Sequence, residues 1–184
     1  MNKESLNNDF KFCPLCGWTN IKNYNNRKWI CDCGFELFHN VATASLIIVQ
    51  DSLNNVLFEV RAKDPQKWLL WLPGWFIEPN EDLESGAMRE CEEEIGFKPE
   101  KLKYIGSCPN TYIYNNIEYK TCDMFFLADI RDVLLKDIID KLSIQKSEIS
   151  KLEYHQINTV DDIEELPIAF ESAKYALKFN LDNK

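Results

Sequence analysis

Two groups of side chains in this 184-residue chain have the types and spacing to do chemistry. The first is a set of four cysteines, Cys13-x2-Cys16 and Cys31-x-Cys33, with fourteen residues between the pairs and a glycine after each, Gly17 and Gly34. Glycine there suits the tight turn that lets backbone amides approach thiolate sulfur. Four thiolates surround Zn2+ tetrahedrally, and a segment of about 30 residues, too short to bury much core, needs such a staple. The alternatives are reduced thiols without a metal, or a redox pair at Cys13-x2-Cys16. The second pair is one residue tighter than the usual spacing, and His39 stands nearby as a substitute ligand. Cys91, Cys108 and Cys122 lie in apolar contexts and read as buried small hydrophobes.

The second group is acidic. Between Leu72 and Phe97 stand eight carboxylates and one arginine, Arg89. "DLESGAMRECEEEI" reads as a helix with Asp82 in its first turn and Gly96 as its stop. At 100° per residue, Glu90, Glu93 and Glu94 share an arc of about 100°, Glu92 points away, and Ala87, Met88, Cys91 and Ile95 form the adjoining apolar stripe. Gly86, one turn before Glu90, leaves room on that side. Like charges at these spacings weaken a helix by a few tenths of a kcal/mol per pair. Solvated surface acids are the bland explanation. Three on one face beside a Pro73-Gly74 turn fit a site for a hard, oxygen-ligated divalent cation better.

The surrounding pattern must position these groups. "VATASLIIVQ" and "VLFEVRA" read as strands joined by a turn at Ser52–Asn55, and "WLPGWFI" as a strand or extended loop broken at Pro73-Gly74. "KLKYIGSC", "IYNNIEYKTCDMFFLADI" and "KLEYHQI" supply further strands, the middle one a hairpin around Asn115-Asn116. "AFESAKYALKF" is an amphipathic helix with Phe170, Ala173, Leu177 and Tyr175 inward. Mixed strands with two helices indicate an α/β layer arrangement. Residues 1–40 carry five Lys/Arg against four Asp/Glu, whereas 41–184 carry 16 against 26. The expected division is a mobile tail over 1–10, a cysteine-rich unit over 11–40 and the main domain over 41–184.

Composition excludes several classes. A net charge of −9 argues against broad electrostatic binding of DNA or RNA, yet allows a small phosphorylated substrate if a metal supplies local positive charge. No stretch reaches the roughly 18 uninterrupted apolar residues of a membrane span. The polar start MNKESLNNDF has no signal-peptide core, and the odd count of seven cysteines suits a reducing compartment, so the expected location is cytoplasmic.

The acidic stretch resembles the Nudix box: Gly, five residues, Glu, seven residues, then Arg-Glu-apolar-x-Glu-Glu-x-Gly-apolar. Glu81, Arg89, Glu90, Cys91, Glu93, Glu94, Gly96 and Phe97 match it, and Trp75 stands where the family has its first Gly. With "FCPLCGW…CDCGF" ahead of the domain, the chain is similar to ribbon-bearing Nudix hydrolases related to NADH pyrophosphatases. It lacks the Ser-Gln-Pro-Trp-Pro-Phe-Pro signature of the latter, so NADH is not implied. The resemblance implies an α/β/α sandwich with a mixed sheet, preceded by a zinc ribbon, and hydrolysis of a diphosphate linkage in a nucleoside diphosphate joined to another moiety. It assigns Mg2+ or Mn2+ to Glu90, Glu93, Glu94 and the Gly74 carbonyl, and general-base work to Glu93 or Glu90. Arg89 and Glu81 would support these groups, and Arg61 would meet a substrate phosphate. A homodimer is common among such hydrolases, and the Trp-rich "WLLWLPGW" offers it a surface. Glycine beside a metal site supplies positive φ or close approach, which tryptophan does not. Trp75 therefore sets a second expectation: a domain that binds a nucleotide derivative without hydrolysing it efficiently.

Overall fold

The computed structural model describes residues 10–25, 27–114 and 117–183. The chain divides into two compact units, one of Met1–Ala42 with Thr111–Lys120, the other of Thr43–Asn110 with Thr121–Lys184. The tail expected over 1–10 lies, apart from Phe10, outside the described residues.

The first unit carries an antiparallel sheet of three short strands, β1 (Ile21–Tyr24), β2 (Lys28–Cys31) and β3 (Glu36–Phe38), in that order. Its buried apolar residues are Cys13, Ile21, Trp29 and Cys31, with Phe35 and Leu37 packed against them. The Trp29 ring meets Phe10 edge-on at 4.9 Å and His39 at 5.2 Å. So small a cluster leaves most of the stability to a staple.

The six-stranded sheet consists of β4 (Ala42–Gln50), β5 (Asn55–Arg61), β6 (Leu70–Trp71), β7 (Lys103–Tyr114), β8 (Ile117–Asp129) and β9 (Ile149–Gln156), all of the second unit except Ala42 and the strand residues within 111–120. Their order is β6-β5-β4-β8-β7, with β9 on β5. The ladders of β5 with β4, β6 and β9 are antiparallel. At their C-terminal ends β4 and β8 meet, Ile130 N donating to Gln50 O at 2.9 Å, so these two run parallel and the sheet is mixed. Both faces of β4 are buried: Leu46 and Ile48 belong to one apolar cluster, Ile47 and Val49 to the other. The first cluster is covered by α3 (Val160–Glu165) and α4 (Glu171–Asp182), the second by α1 (Leu83–Ile95) and the short α2 (Leu135–Ile138). The result is the expected sandwich of helices on both faces of a sheet.

One irregularity of the sheet places the site. β4 and β5 pair at Gln50 and Val56 and then part. The chain from β6 onward fills the gap: Leu70 and Trp71 pair with β5, and residues 73–77 pair with the first half of β4. There Ile47 N donates to Pro73 O, Ser45 N to Trp75 O and Ile77 N to Thr43 O, at 2.8–3.1 Å.

Several local expectations need correction. "KLKYIGSC" and the residues after it form one strand, β7, and the turn expected at Asn115-Asn116 lies outside the described residues. Asp82 is the N-cap of α1, its side chain accepting from Ser85 N, and is not inside the first turn. Tyr175 faces outward, 47% exposed. The inner face of α4 instead includes Ser172, Ala176 and Asn180, and the two polar members reach Asp123 and Gln50 at 2.7 and 3.0 Å. Satisfied polar side chains can line a buried face, and an apolar count misses them. Helices α2 and α3 were not anticipated: α2 is too short to show a period, although Thr159 and Asp162 do form a capping box at α3. Cys91 is fully buried, whereas Cys108 and Cys122 are only partly so. Among the described residues, no helix is long and apolar enough to cross a membrane.

Candidate active site and cysteine centre

Helix α1 is fixed at both ends by its own sequence. Asp82 caps its N-terminus, and Gly96, at φ 67°, closes its C-terminus with its N–H on Glu92 O. Ala87, Cys91 and Ile95 seat one side in the core, which carries Glu90 and Glu94 to the inner border of the helix. Glu92 points elsewhere and pairs with Lys98 at 3.1 Å.

Arg89 gathers the acids around itself. Its Nε and Nη2 donate to the two oxygens of Glu81, both at 2.9 Å, and its Nη1 reaches Glu90 at 2.5 Å and Glu93 at 3.3 Å. Hydrogen bonds from Arg89 hold the Glu81 carboxyl below the ordinary carboxylate range, and those same bonds, Glu81 foremost, raise Arg89. Gly86 leaves room for this. A Cβ there would lie 2.5 Å from Ile77 Cδ1 and 2.9 Å from Glu81 Oε2, so a larger residue would force both side chains to shift.

Glu94 looks the other way. It is 5% exposed, and its Oε2 accepts from Gly74 N at 2.7 Å. Burial, then the charges of Glu90 and Glu148, push its carboxyl up to about 8 against the pull of the Gly74 amide. Glu90 is raised too, by burial first, although Arg89 opposes this. Two further carboxylates come from outside the helix. Glu59, on β5, is 3% exposed and raised by burial and by Glu94, while Glu148 lies in the turn before β9, 2.7 Å from Lys63. Neither was foreseen. Glu59 had a signal, a charge inside the apolar run "VLFEVRA"; Glu148, in "QKSEIS", had none.

The backbone demand expected at Trp75 falls one residue earlier. Gly74 has φ 123°, and a Cβ on it would lie 2.1 Å from Ser45 O. Trp75 is not among the residues of positive φ, and its carbonyl continues the pairing with β4. What Trp75 changes is the side-chain environment. Its ring lies 5.0 Å from that of Phe76, and the Arg61 guanidinium sits 5.7 Å from both the Trp75 and the Phe170 ring centres. Arg61, re-aimed by a bulge between Val60 and Arg61, is 8% exposed and donates from Nε to Pro65 O at 2.9 Å. The three tryptophans form no common surface: Trp71 is buried, Trp75 is half-buried, and Trp68 is exposed at φ 73°.

In the first unit, Cys13, Cys16, Cys31 and Cys33 bring their sulfurs within 4.8 Å of one another without His39. Two matching turns hold them, Gly17 N donating to Cys13 O and Gly34 N to Cys31 O, with φ 74° and 91° at the glycines. Four converging soft donors fit Zn2+. Among the described residues no comparable convergence occurs on α1, because Arg89 draws Glu90 and Glu93 to itself while Gly74 holds Glu94. The inner border still fits a hard cation. Glu59, Glu90 and Glu94 are crowded and raised together, and Glu59 Oε1 is buried with no hydrogen-bond partner.

Comparison with known proteins agrees with this geometry. Residues 39–179 match the model of the NUDIX domain. The chain is 26% identical over 159 residues to the NAD-capped RNA hydrolase NudC of Vibrio atlanticus, covering 86% of this chain and 54% of that protein. It is 25% identical over 171 residues to NudC of Deinococcus radiodurans, covering 91% and 55%. The chain thus spans about half the length of these curated relatives. Among solved structures, a NUDIX hydrolase from Nitrosomonas europaea superposes with a TM-score of 0.65 at 22% identity, over 95% of this chain and 92% of that one. The NUDIX domain of Shewanella oneidensis NrtR, crystallised with ADP ribose, gives 0.62 at 17%, over 79% and 90%. The chain belongs to the NUDIX domain family.

Proposed function

We propose that the chain hydrolyses a diphosphate linkage in a nucleoside diphosphate joined to another moiety, in a reaction that depends on a divalent cation. The observation that carries this reading is the hydrogen bond from Gly74 N to Glu94, which ties the Pro73-Gly74 turn to the acidic border of α1. Glu90, Glu93, Glu94 and the Gly74 carbonyl would hold Mg2+ or Mn2+. When bound, that cation offsets the substrate's charge and acidifies the attacking water. The chain's own residues do the rest. Glu93 or Glu90 would take a proton from water, and the greater exposure of the Glu93 side chain, 57% against 15%, supports Glu93. Arg89, anchored on Glu81, orients Glu90, and Glu148 adds negative charge from the facing turn. Cys13, Cys16, Cys31 and Cys33 would hold a structural Zn2+. The seven free cysteines suit a reducing, cytoplasmic setting.

Phosphatase-coupled phosphate release over dinucleotides, nucleotide sugars and nucleoside triphosphates, with Mg2+ and Mn2+, tests the reading. Metal-dependent release from at least one diphosphate-linked compound is expected. A second reading, a nucleotide-derivative sensor, is favoured by the Trp75 ring over Arg61, and the NrtR domain crystallised with ADP ribose shares the fold. Binding of such a compound with no turnover under any metal would select it.

A further inference from the structure

Glu59 is out of place by every rule of strand composition. It sits in the middle of β5, between Leu152 of β9 and Trp71 of β6, on the face whose neighbour Leu57 packs against Ala87, Cys91 and Ile95. An apolar side chain would serve that position better. The carboxyl is 3% exposed, and its Oε1 has no hydrogen-bond partner. Around it stand two more carboxyls, Glu94 and Glu90, and one cation, Arg61. Arg61 has contacts elsewhere: its Nε is on Pro65 O and its guanidinium lies 5.7 Å from each of the Trp75 and Phe170 ring centres. The carboxyl shares a hydrogen bond with Glu94, yet its Oε1 stays buried without a partner, and a cation beside it would complete the group.

We propose that Glu59 is a further ligand of the divalent cation, a donor supplied by the sheet beneath the helix. The proposal rests on the reading that Glu90 and Glu94 hold such a cation. Glu59 would be the buried donor of the set and Glu93 the exposed one. Hard cations take six or more oxygens, so a deep carboxylate adds to the helix donors without displacing them. The site then draws on β5 as well as α1, which fixes the cation against the core.

The test is Mn2+ binding to the full chain, read from the signal of free aqueous Mn2+ and from the Mn2+-induced rise in Tm; oxygen-preferring Mn2+ does not favour the thiolate centre. Glu59→Gln keeps the shape and removes the charge. Its Mn2+ affinity should fall roughly 10- to 100-fold, while its metal-free Tm stays level because the amide fills the same space. Glu59→Asp, shorter but still charged, should lie between Gln and wild type. Unchanged Mn2+ affinity in Glu59→Gln, with affinity lost in Glu94→Gln, overturns the role of Glu59 and leaves the helix site standing. Absence of Mn2+ binding in the wild-type chain overturns both.

Discussion

The backbone N–H of Gly74 donates to Glu94 Oε2 at 2.7 Å, joining residues twenty positions apart. This bond sets the distance between the loop that filled the gap in the sheet and the acidic border of α1. The requirement for glycine at 74, and not at Trp75, comes from a separate contact, with the Ser45 carbonyl.

Gly74 admits no side chain. A methyl group there would collide with the Ser45 carbonyl at 2.1 Å, in a backbone conformation with φ 123°. Gly74→Ala should lose about 3 kcal/mol or more of stability in urea denaturation, since neither β4 backbone nor strained φ can relax cheaply. A loss under 1 kcal/mol would mean that the loop is not held against β4 as described.

Trp75 has an ordinary backbone, so Trp75→Gly should cost only about 1 kcal/mol of entropy plus the lost ring contacts. Removing the ring uncovers one side of Arg61. If Arg61 then meets a substrate phosphate, kcat/KM rises about tenfold, the worth of one charge-assisted hydrogen bond. Unchanged turnover in the variant excludes Trp75 as a brake.

The raised carboxyl of Glu94 gives metal-free stability a definite pH slope. Unfolded, it titrates near its ordinary 4.5; folded, near 8, because burial disfavours the charge. Between these values the folded chain keeps a proton that the unfolded chain has lost. Stability from this group is therefore complete below about pH 4.5 and is lost as pH rises through 8. The drop is on the order of a few kcal/mol, and Glu94→Gln should flatten it. Thermal melts at pH 5.5 and 8.0 in chelator, wild type against variant, measure it. An equal slope in both contradicts the assignment.

The four converging sulfurs make a separate prediction. Removing metal with a strong chelator should unfold the segment around β1–β3, seen as loss of amide protection there, while the clusters flanking β4 keep theirs. Protection unchanged by the chelator would mean that the ribbon does not depend on zinc.

What the sequence disclosed follows from range. Helix α1 and the convergence of the cysteines were legible because Asp82, Gly96, Gly17 and Gly34 act within a few residues of what they position. The resemblance read from the box rested on the same local spacing, and the NUDIX model matches residues 39–179. Glu59 and Glu148 were not legible as partners of Glu94, since pairing of β5 with β9 and the splay of β4 from β5 bring them there. Tyr175 was misplaced because Ser172 and Asn180 bury through distant partners, Asp123 and Gln50. The concern over Trp75 came from counting along the motif. Only the contact of Gly74 with Ser45 shows which of the two adjacent positions needs to be glycine.

The central claim is that the border carrying Glu94 performs metal-dependent hydrolysis. Phosphatase-coupled phosphate release by wild type and Glu94→Gln, on the best substrate of the screen and with Mg2+ or Mn2+, tests it most directly. The account predicts release that requires the cation and falls roughly 100-fold in a Glu94→Gln variant that still folds. Turnover equal in the two proteins, or undiminished in chelator, would contradict it.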